Sequence, residues 1–207
     1  IIKNLNEGHS YALVSDAGMP SICDPGEDLV KEARSNGLPV ICIPGPCAAI
    51  TALVTSGLPS SKFIFQGFLP KKPSERRERL SAISRYENTT IIFESPHRLK
   101  KLLFELKEFC GGDREIRVLR ELTKRFEQHV GDNVYEVIDF FKEKEVIGEI
   151  TVVINGINKS NNNLEFDSFE IKKDLNDLIK AGLTLSAASK YLAKKNNLPK
   201  SMIYNLH

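Results

Sequence analysis

Titratable and charged side chains directly follow an apolar run in the middle of the chain. The sequence FESPHR places Glu94, His97 and Arg98 within five residues of one another. Histidine is a common general base near neutral pH, and arginine suits bidentate binding of phosphate. His97 is therefore a candidate base and Arg98 a candidate phosphate ligand. The alternative is a helix N-terminus whose charged residues pair among themselves.

Two further segments combine an apolar run with a loop rich in glycine and proline. In ALVSDAGMPSICDPG, residues 12–26, Gly18 permits backbone conformations that other residues avoid, and Asp16 is a candidate acceptor for a ribose hydroxyl. In IPGPCAAI, residues 43–50, Gly45 lies between two prolines, and the small residues Cys47 and Ala48 leave room for a flat group. Local turn formation by Asp16 and tight helix–sheet packing explain the same residues equally well.

The elements that must position these side chains alternate along the chain. Apolar runs predict strands at 11–15, 40–43, 63–66, 89–94, 115–120, 126–130 and 149–154, and helices are predicted at 28–35, 48–55, 74–85, 97–109 and 133–144. This alternation predicts an α/β fold with a largely parallel or mixed sheet. Ligands of open α/β sheets bind beyond the carboxyl ends of strands. RELTK, residues 120–124, also follows a predicted strand, so one sheet edge should gather four clusters.

Composition and charge exclude several classes of function. The 207 residues contain 41% hydrophobic and 27% charged residues, with a net charge of +2. No apolar run is long enough to span a membrane, and the first ten residues lack a signal-peptide layout. The four cysteines form no CxxC pair and the four histidines are scattered, so no metal site is predicted. Reduced thiols and a cytoplasmic location are the expectation.

Basic residues concentrate in one segment and in the tail. The segment carries five basic side chains: Lys71, Lys72, Arg76, Arg77 and Arg79. Such patches can follow the phosphates of a nucleic acid, although most are solvated faces. After an Asn-rich linker, three short helices are predicted at 171–181, 185–195 and 201–206, with seven lysines from residue 170 onward. These helices resemble a helix-turn-helix module, or serve packing alone.

Long ordered motifs carry a resemblance to a known family. The segments are ALVSDAGMPSICDPG, IPGPCAAITALVTSGLPSSKFIFQGFLPKK, FESPHRL, RELTKRFEQ and GEITVVI. They resemble the bacterial ribosomal RNA small-subunit methyltransferase I family, in the tetrapyrrole-methylase-like class of S-adenosylmethionine enzymes. The resemblance covers about residues 5–154, and the tail fits as well. It implies 2′-O-methylation of a cytidine in 16S ribosomal RNA within the 30S subunit, a homodimer and a two-lobed α/β fold.

The resemblance also implies roles for individual residues. The cofactor S-adenosylmethionine would lie against two loops, comprising Ser15, Asp16, Ala17, Gly18 and Pro20, and Pro44, Gly45, Pro46, Cys47 and Ala48. Cys47 departs from the Ser or Ala expected there. The surface facing the RNA and the methyl group would carry Glu94, Pro96, His97, Arg98, Arg120, Glu121 and Thr123. We expect the proton to go to His97 or Glu94, or late to solvent, with Arg98 and Arg120 contacting phosphate or the oxyanion. The basic segment would bind RNA.

The chain lacks two motifs that the family places before these segments. A Pro/Gly-rich turn of the kind PTPIGNL and an acidic EDTR-like segment are both absent from it. The N-terminal lobe, residues 1–58, is therefore expected to be incomplete, followed by an α/β lobe at 59–156, a linker at 157–169 and the helical module at 170–207. Two other functions stay open, namely a methylase of a small tetrapyrrole precursor and a non-catalytic RNA-binding relative.

Overall fold

The computed structural model describes residues 1–157, 168–196 and 198–206. Two compact units divide the chain, Ile1–Ile157 and Asn158–His207. Most of the predicted linker, residues 158–167, lies outside the described residues. The predicted boundary between two lobes near residue 58 and the helix-turn-helix likeness of the tail stay predictions. None of the described helices is long and apolar enough to cross a membrane.

A mixed sheet of five strands forms the centre of the first unit. The strands are β1 (Phe63–Phe68), β2 (Thr89–Glu94), β3 (Ile116–Arg120), β4 (Gln128–Val130) and β5 (Ile150–Ile154). Their order is β1-β2-β5-β3-β4, in which β1 and β2 are parallel and every other pair is antiparallel. The prediction of a largely parallel or mixed sheet is confirmed in its mixed form. Consequently, β5 begins at the edge where β2 and β3 end.

Six helices belong to the first unit, and local sequence explains where several begin. They are α1 (Ile2–Asn6), α2 (Glu27–Ser35), α3 (Ala48–Ser56), α4 (Pro73–Ile83), α5 (Pro96–Cys110) and α6 (Val134–Phe141). Prolines stand in the first turns of α4 and α5, where their missing N–H costs nothing. Asn133 caps α6 by accepting a hydrogen bond of 3.0 Å from the Glu136 amide. All but α1 correspond to predicted helices.

Apolar side chains cover both faces of the sheet. On one face Ile92, Val118 and Val152 pack in a cluster with residues of α4, α5 and α6. On the other face Ile91 and Val153 pack against α3. All five residues of β5 are buried because both faces of this central strand are covered. The result is a layered α/β unit whose polar strand ends are left at the sheet edge.

The predicted strands at 11–15 and 40–43 are wrong. Neither segment forms a strand in the structure. Val14 and Ile41 are 81% and 83% exposed, whereas the residues of β5 are buried. A strand needs a hydrogen-bonded neighbour, and neither segment pairs with any of the five described strands. Local apolar patterning therefore predicted strands for which the described residues supply no partner.

The described part of the second unit, residues 168–196 and 198–206, forms three helices: α7 (Ser168–Lys180), α8 (Leu185–Asn196) and α9 (Lys200–Tyr204). Thr184 accepts a hydrogen bond of 3.3 Å from the Ala187 amide, as expected of an N-cap. A small core forms around Leu175, Leu192 and Ile203. The three helices predicted from the sequence are confirmed, with bounds shifted by up to three residues.

Candidate active site

A cavity of about 470 Å³ opens at the sheet edge where β2 and β3 end and β5 begins. Its wall comes from Phe68 and five segments of chain: 17–24, 46–51, 93–96, 122–124 and 148–151. Four of these segments belong to the clusters that the sequence placed at strand ends. The volume lies in the usual range for small-molecule sites, about 300–1,000 Å³. The expectation that one edge gathers the clusters is met by this arrangement.

The two glycine- and proline-rich loops touch each other at the cavity. Gly18 has φ +75°, and a β-carbon added to it would lie 3.3 Å from the Pro46 carbonyl oxygen. This close approach explains why glycine occupies the position. Beside it, the Ser15 hydroxyl lies 2.6 Å from an Asp24 carboxylate oxygen and braces the first loop from within.

Half of the predicted cofactor residues line the cavity. Ala17, Gly18, Pro46, Cys47 and Ala48 belong to its wall. Ser15, Asp16, Pro20, Pro44 and Gly45 are not among the residues that line it. The sequence thus located the two loops, but it did not show which of their residues line the cavity. Their roles in binding stay predictions.

Strained backbone concentrates in two of the wall loops. Four non-glycine residues in the described chain have positive φ: Ser21 (67°), Cys23 (60°), Glu121 (52°) and Thr123 (64°). A left-handed conformation is uncommon for such residues, and for the β-branched Thr123 it is a clear outlier. Cys23 and Thr123 line the cavity themselves. Strain of this kind persists where the surroundings enforce it, and it is frequent at ligand sites.

Glu121 fixes the loop after β3 to the start of β5. One of its carboxylate oxygens accepts a hydrogen bond of 2.9 Å from the Glu149 amide and lies 2.9 Å from the Lys124 ammonium group. The Glu121 amide donates in return to the Glu149 carbonyl, at 2.9 Å. Lys124 also reaches the Glu149 carboxylate at 3.1 Å. The Glu149 amide and Lys124 together lower the pKa of Glu121.

Gly148 allows the Glu121 carboxylate to reach the Glu149 amide. Gly148 has φ +89°, and a β-carbon added there would lie 2.6 Å from the Glu121 carboxyl group. A second carboxylate supports the same loop, because Glu127 accepts a hydrogen bond of 2.7 Å from the Thr123 amide and contacts His129. The Thr123 amide and His129 lower the pKa of Glu127. Leu122, Thr123 and Lys124 are thereby held in the cavity wall.

Glu94 is the one predicted catalytic residue in the cavity wall. Its side chain is fully buried, and one oxygen lies 2.6 Å from Arg98 and accepts from the Ser95 amide at 2.8 Å. The other oxygen lies 3.3 Å from Arg76. Both oxygens are therefore engaged, and the alternative of charged residues pairing among themselves describes Glu94 and Arg98 well.

His97 and Arg120 lie outside the residues that form the wall. His97 is exposed on the first turn of α5, one residue after the wall residue Pro96. Arg120 donates to the Gln128 side chain and to the Ile147 carbonyl oxygen, at 3.2 Å each. The geometry thus links Arg120 to neighbouring backbone and leaves His97 accessible. Their catalytic roles stay predictions.

The predicted RNA-binding segment divides into exposed and buried residues. Lys71, Lys72, Arg77 and Arg79 are exposed on or just before α4. Arg76 differs from the expectation of a solvent-facing cation, because it is 4% exposed and contacts Glu94 and Glu105. The helical period explains this, since Arg76, Leu80 and Ile83 lie on the face of α4 that is buried.

Sequence reasoning missed the wall formed by residues 148–151. The rule about carboxyl ends of strands excludes them, since they begin a strand. In the structure Ile150 pairs with both Glu94 of β2 and Arg120 of β3 in antiparallel register. To predict this part of the wall, one would have to know that β5 is antiparallel to β2 and β3. No local sequence pattern gives the direction of a strand. Among the described residues, no group of three or more His, Cys, Asp or Glu is arranged to hold a metal ion.

Comparison with known proteins defines the fold class first. The family model for Tetrapyrrole (Corrin/Porphyrin) Methylases matches residues 1–138. Among solved structures, the methyltransferase CobJ superposes with a TM-score of 0.55 at 19% identity, covering 75% of this chain and 68% of that one. A cobalt precorrin-4 methyltransferase, CbiF, gives 0.52 at 16% identity, covering 67% of this chain and 61% of that one. The likeness of these structures is one of fold.

Curated relatives then give the particular family. Proteins named ribosomal RNA small subunit methyltransferase I are 39% identical in Synechocystis, 38% in Bacillus subtilis and 39% in Escherichia coli O157:H7. These alignments cover 100%, 100% and 99% of this chain, and 74%, 72% and 71% of the relatives. The chain therefore belongs to the ribosomal RNA small subunit methyltransferase I family, within the tetrapyrrole methylases. The resemblance inferred from the motifs is confirmed.

Proposed function

We propose that this chain is an S-adenosylmethionine-dependent methyltransferase that modifies the 2′-hydroxyl of a cytidine ribose in 16S ribosomal RNA. The observation that carries the proposal is the cavity at the sheet edge, which gathers the family's motifs around one space. Relatives named for methylation of small-subunit ribosomal RNA, at 38–39% identity over essentially the whole chain, support the substrate class.

The residues of the cavity fit the cofactor. Gly18 and Pro46 bring two backbones close together, so polar main-chain groups can approach a ligand. Cys47, Ala48 and Leu122 supply small or apolar surface for a flat ring, whereas Thr123 and Glu149 are polar. When bound, S-adenosylmethionine supplies a methyl group on a positively charged sulfur. The protein has to hold the ribose oxygen in line with that methyl group and to accept the hydroxyl proton.

We assign the proton to His97 and the placement of the RNA backbone to Arg98. His97 is accessible and directly follows the wall residue Pro96. Glu94, the alternative base, has both oxygens engaged by Arg76, Arg98 and the Ser95 amide. Loss of turnover in His97→Ala, together with a changed pH–rate profile, is the expected result. Near-normal turnover with an unchanged profile would remove His97 from this role.

The exposed cations of the basic segment are proposed to contact RNA phosphates. Lys71, Lys72, Arg77 and Arg79 lie together on or before α4. Replacing a cation that contacts a phosphate by a neutral residue should make RNA binding depend less steeply on the salt concentration. We further propose a cytoplasmic location, where the ribosomal substrate is found, and a homodimer. Light scattering of the purified protein tests the homodimer, and a monomeric mass would contradict it.

A methyl-transfer assay tests the proposed function. Labelled S-adenosylmethionine is offered with 30S subunits, with free 16S RNA and with a small tetrapyrrole precursor. Label in one cytidine ribose of the RNA is the expected result, mapped by resistance of the 2′-O-methylated position to alkaline hydrolysis. Label in the tetrapyrrole would instead support the small-molecule reaction. RNA binding without any label would support a non-catalytic relative.

A further inference from the structure

Four side chains of alternating charge form a row next to the cavity wall, and its two inner members are buried. The row runs Glu105–Arg76–Glu94–Arg98 and is called the ion-pair row below. Arg76 lies 2.8 Å from Glu105 and 3.3 Å from Glu94, and Glu94 lies 2.6 Å from Arg98. Two acids and two bases balance within it. The row connects α4 to the start of α5 and reaches the cavity wall through Glu94.

Burial makes the inner members of the row dependent on each other. The side chains of Arg76 and Glu94 are 5% and 0% exposed, whereas Glu105 and Arg98 are 19% and 26% exposed. Burial alone would lower the pKa of Arg76, but Glu105 and Glu94 outweigh it and raise that pKa. Removing one partner of such a pair leaves the other as an uncompensated buried charge. Glu94 therefore relies on Arg76 as well as on Arg98.

Glu94 in turn orients two groups at the cavity. The oxygen that contacts Arg98 also accepts a hydrogen bond of 2.8 Å from the Ser95 amide. The Arg98 guanidinium donates to the Ser95 hydroxyl at 3.2 Å. Ser95 lines the cavity, so the Arg98 guanidinium is held beside the wall by two contacts. A guanidinium fixed in this way presents its remaining donors in a defined direction.

We propose that Arg76 is a positioning residue for methyl transfer, which acts through Glu94 to hold Arg98 and Ser95 at the cavity, and that it is not an RNA contact. This rests on the proposed function, since it assigns Arg98 to the RNA. The geometry favours an arginine, because two different nitrogens donate: Nε–H of Arg76 to Glu105 at 2.8 Å and a terminal N–H to Glu94 at 3.3 Å. A lysine has one nitrogen and cannot donate from both of these positions.

The neighbouring residue on α4 provides a matched contrast. The Arg77 side chain is 66% exposed, pairs with Glu108 at 3.3 Å and lies over the Phe109 ring. It carries the same charge on the same helix, but it faces solvent. An RNA contact is expected of Arg77, and a positioning effect of Arg76. Arg85, exposed in the turn two residues after this helix ends, serves as a control outside both groups.

Steady-state kinetics and salt-dependent RNA binding of Arg76→Gln, Arg77→Gln and Arg85→Gln separate the two roles. For Arg76→Gln we expect kcat to fall at least ten-fold, cofactor affinity to stay within two-fold and the salt slope of RNA binding to fall no further once Arg98 has been replaced by Gln. For Arg77→Gln we expect a higher KM for RNA and a salt slope reduced by about one unit. Arg85→Gln should show neither change. An unchanged kcat for Arg76→Gln, or a salt slope that Arg76→Gln reduces further in the Arg98→Gln background, would overturn the proposal.

Two further variants keep the test valid if Arg76→Gln does not fold. Arg76→Lys retains a charge beside Glu94 and should fold, yet its kcat should still fall because the second donor nitrogen is lost. Glu105→Gln removes the outer end of the row and should lower kcat less than Arg76→Lys does. Wild-type kcat in Arg76→Lys would contradict the proposal.

A spectroscopic readout separates this proposal from the proposed function. The Nε–H signal of Arg98 in nitrogen-15 spectra should be slowly exchanging in the wild type and broadened or shifted in Arg76→Lys. That result would support positioning even if no RNA became methylated, in which case the proposed function alone would fail. An Arg98 signal identical in both proteins would overturn the positioning role.

Discussion

Apolar segments with the same local pattern are buried in one part of the first unit and exposed in another. In the part from β1 to β5, Val152 and Val153 are fully buried at the centre of the sheet. In residues 1–58, Val14, Ile41 and Ile43 are 81%, 83% and 78% exposed. Both parts read as strands in the sequence. The difference shows that a strand depends on its hydrogen-bonded neighbour at least as much as on its own residues.

The loops of the exposed part are nevertheless fixed to the sheet. Helix α3, which follows the second loop, packs on β5 through Ala49, Ala52 and Leu53. A β-carbon added to Gly67 of β1 would lie 2.9 Å from the Cys23 sulfur, so the first loop touches the sheet closely. The wall of the cavity therefore combines a packed sheet edge with loops held by a few contacts. We expect substitutions in the two parts to differ accordingly.

The largest contrast is expected between two isoleucines. Ile92 is fully buried in β2, whereas Ile41 is 83% exposed. Ile92→Ala should lower the free energy of unfolding by about 2–5 kcal/mol, because it leaves a cavity in the core. Ile41→Ala should change it by less than about 0.5 kcal/mol. Urea unfolding measures both free energies. Equal losses of stability in the two variants would contradict the difference between the sheet and residues 1–58.

Two glycines with similar backbone conformation sharpen the comparison. Gly148 and Gly8 have φ +89° and +92°, but a β-carbon on Gly148 would meet Glu121 whereas one on Gly8 meets nothing within 4 Å. Gly8→Ala should cost only the backbone strain, about 1 kcal/mol. Gly148→Ala should cost more and should also weaken cofactor binding, since it displaces Glu121. Equal effects on cofactor binding would contradict a role for the Glu121 contact.

Most strands and helices of the sheet region were predictable, because their apolar periodicity and their partners lie in the same stretch of chain. The strand predicted at 89–94 agrees with β2 residue for residue. The loop clusters were also located, since Gly18 and Pro46 mark close backbone approach. The Glu121 contacts were not predictable, because they depend on Gly148 and Glu149, which meet Glu121 through the direction of β5. The positive φ of Thr123 was not predictable either, because a β-branched residue rarely adopts it.

Acid should reduce the stabilisation that Glu121 gives to the loop after β3, residues 121–124. The pKa of Glu121 is lowered from its ordinary value of 4.5, so folding favours the ionised form. The stabilisation is present above that value and is lost as the pH falls through the lowered folded-state pKa. Urea midpoints of wild type and Glu121→Gln should differ at pH 6, and the difference should shrink as the pH falls below 4.5. A constant difference across this range would show that the charge of Glu121 does not stabilise the loop.

The smallest effect is expected in thiol chemistry. Cys47 lines the cavity, whereas Cys42 is exposed and is not part of the wall. S-adenosylhomocysteine should slow alkylation of Cys47 by iodoacetamide several-fold and leave the rate at Cys42 unchanged. Mass spectrometry of the separate peptides measures both rates. Equal protection of the two thiols would indicate a general effect on folding.

Calorimetric titration with S-adenosylmethionine tests the assignment of the cavity most directly. Ala17 lines the cavity, whereas Ala12 is exposed outside it, so Ala17→Phe fills the space and Ala12→Phe is the matched control. We predict one binding site in the wild type, an affinity at least ten-fold weaker in Ala17→Phe and wild-type affinity in Ala12→Phe. Undiminished binding by Ala17→Phe, or no binding by the wild type, would contradict the placement of the cofactor in this cavity.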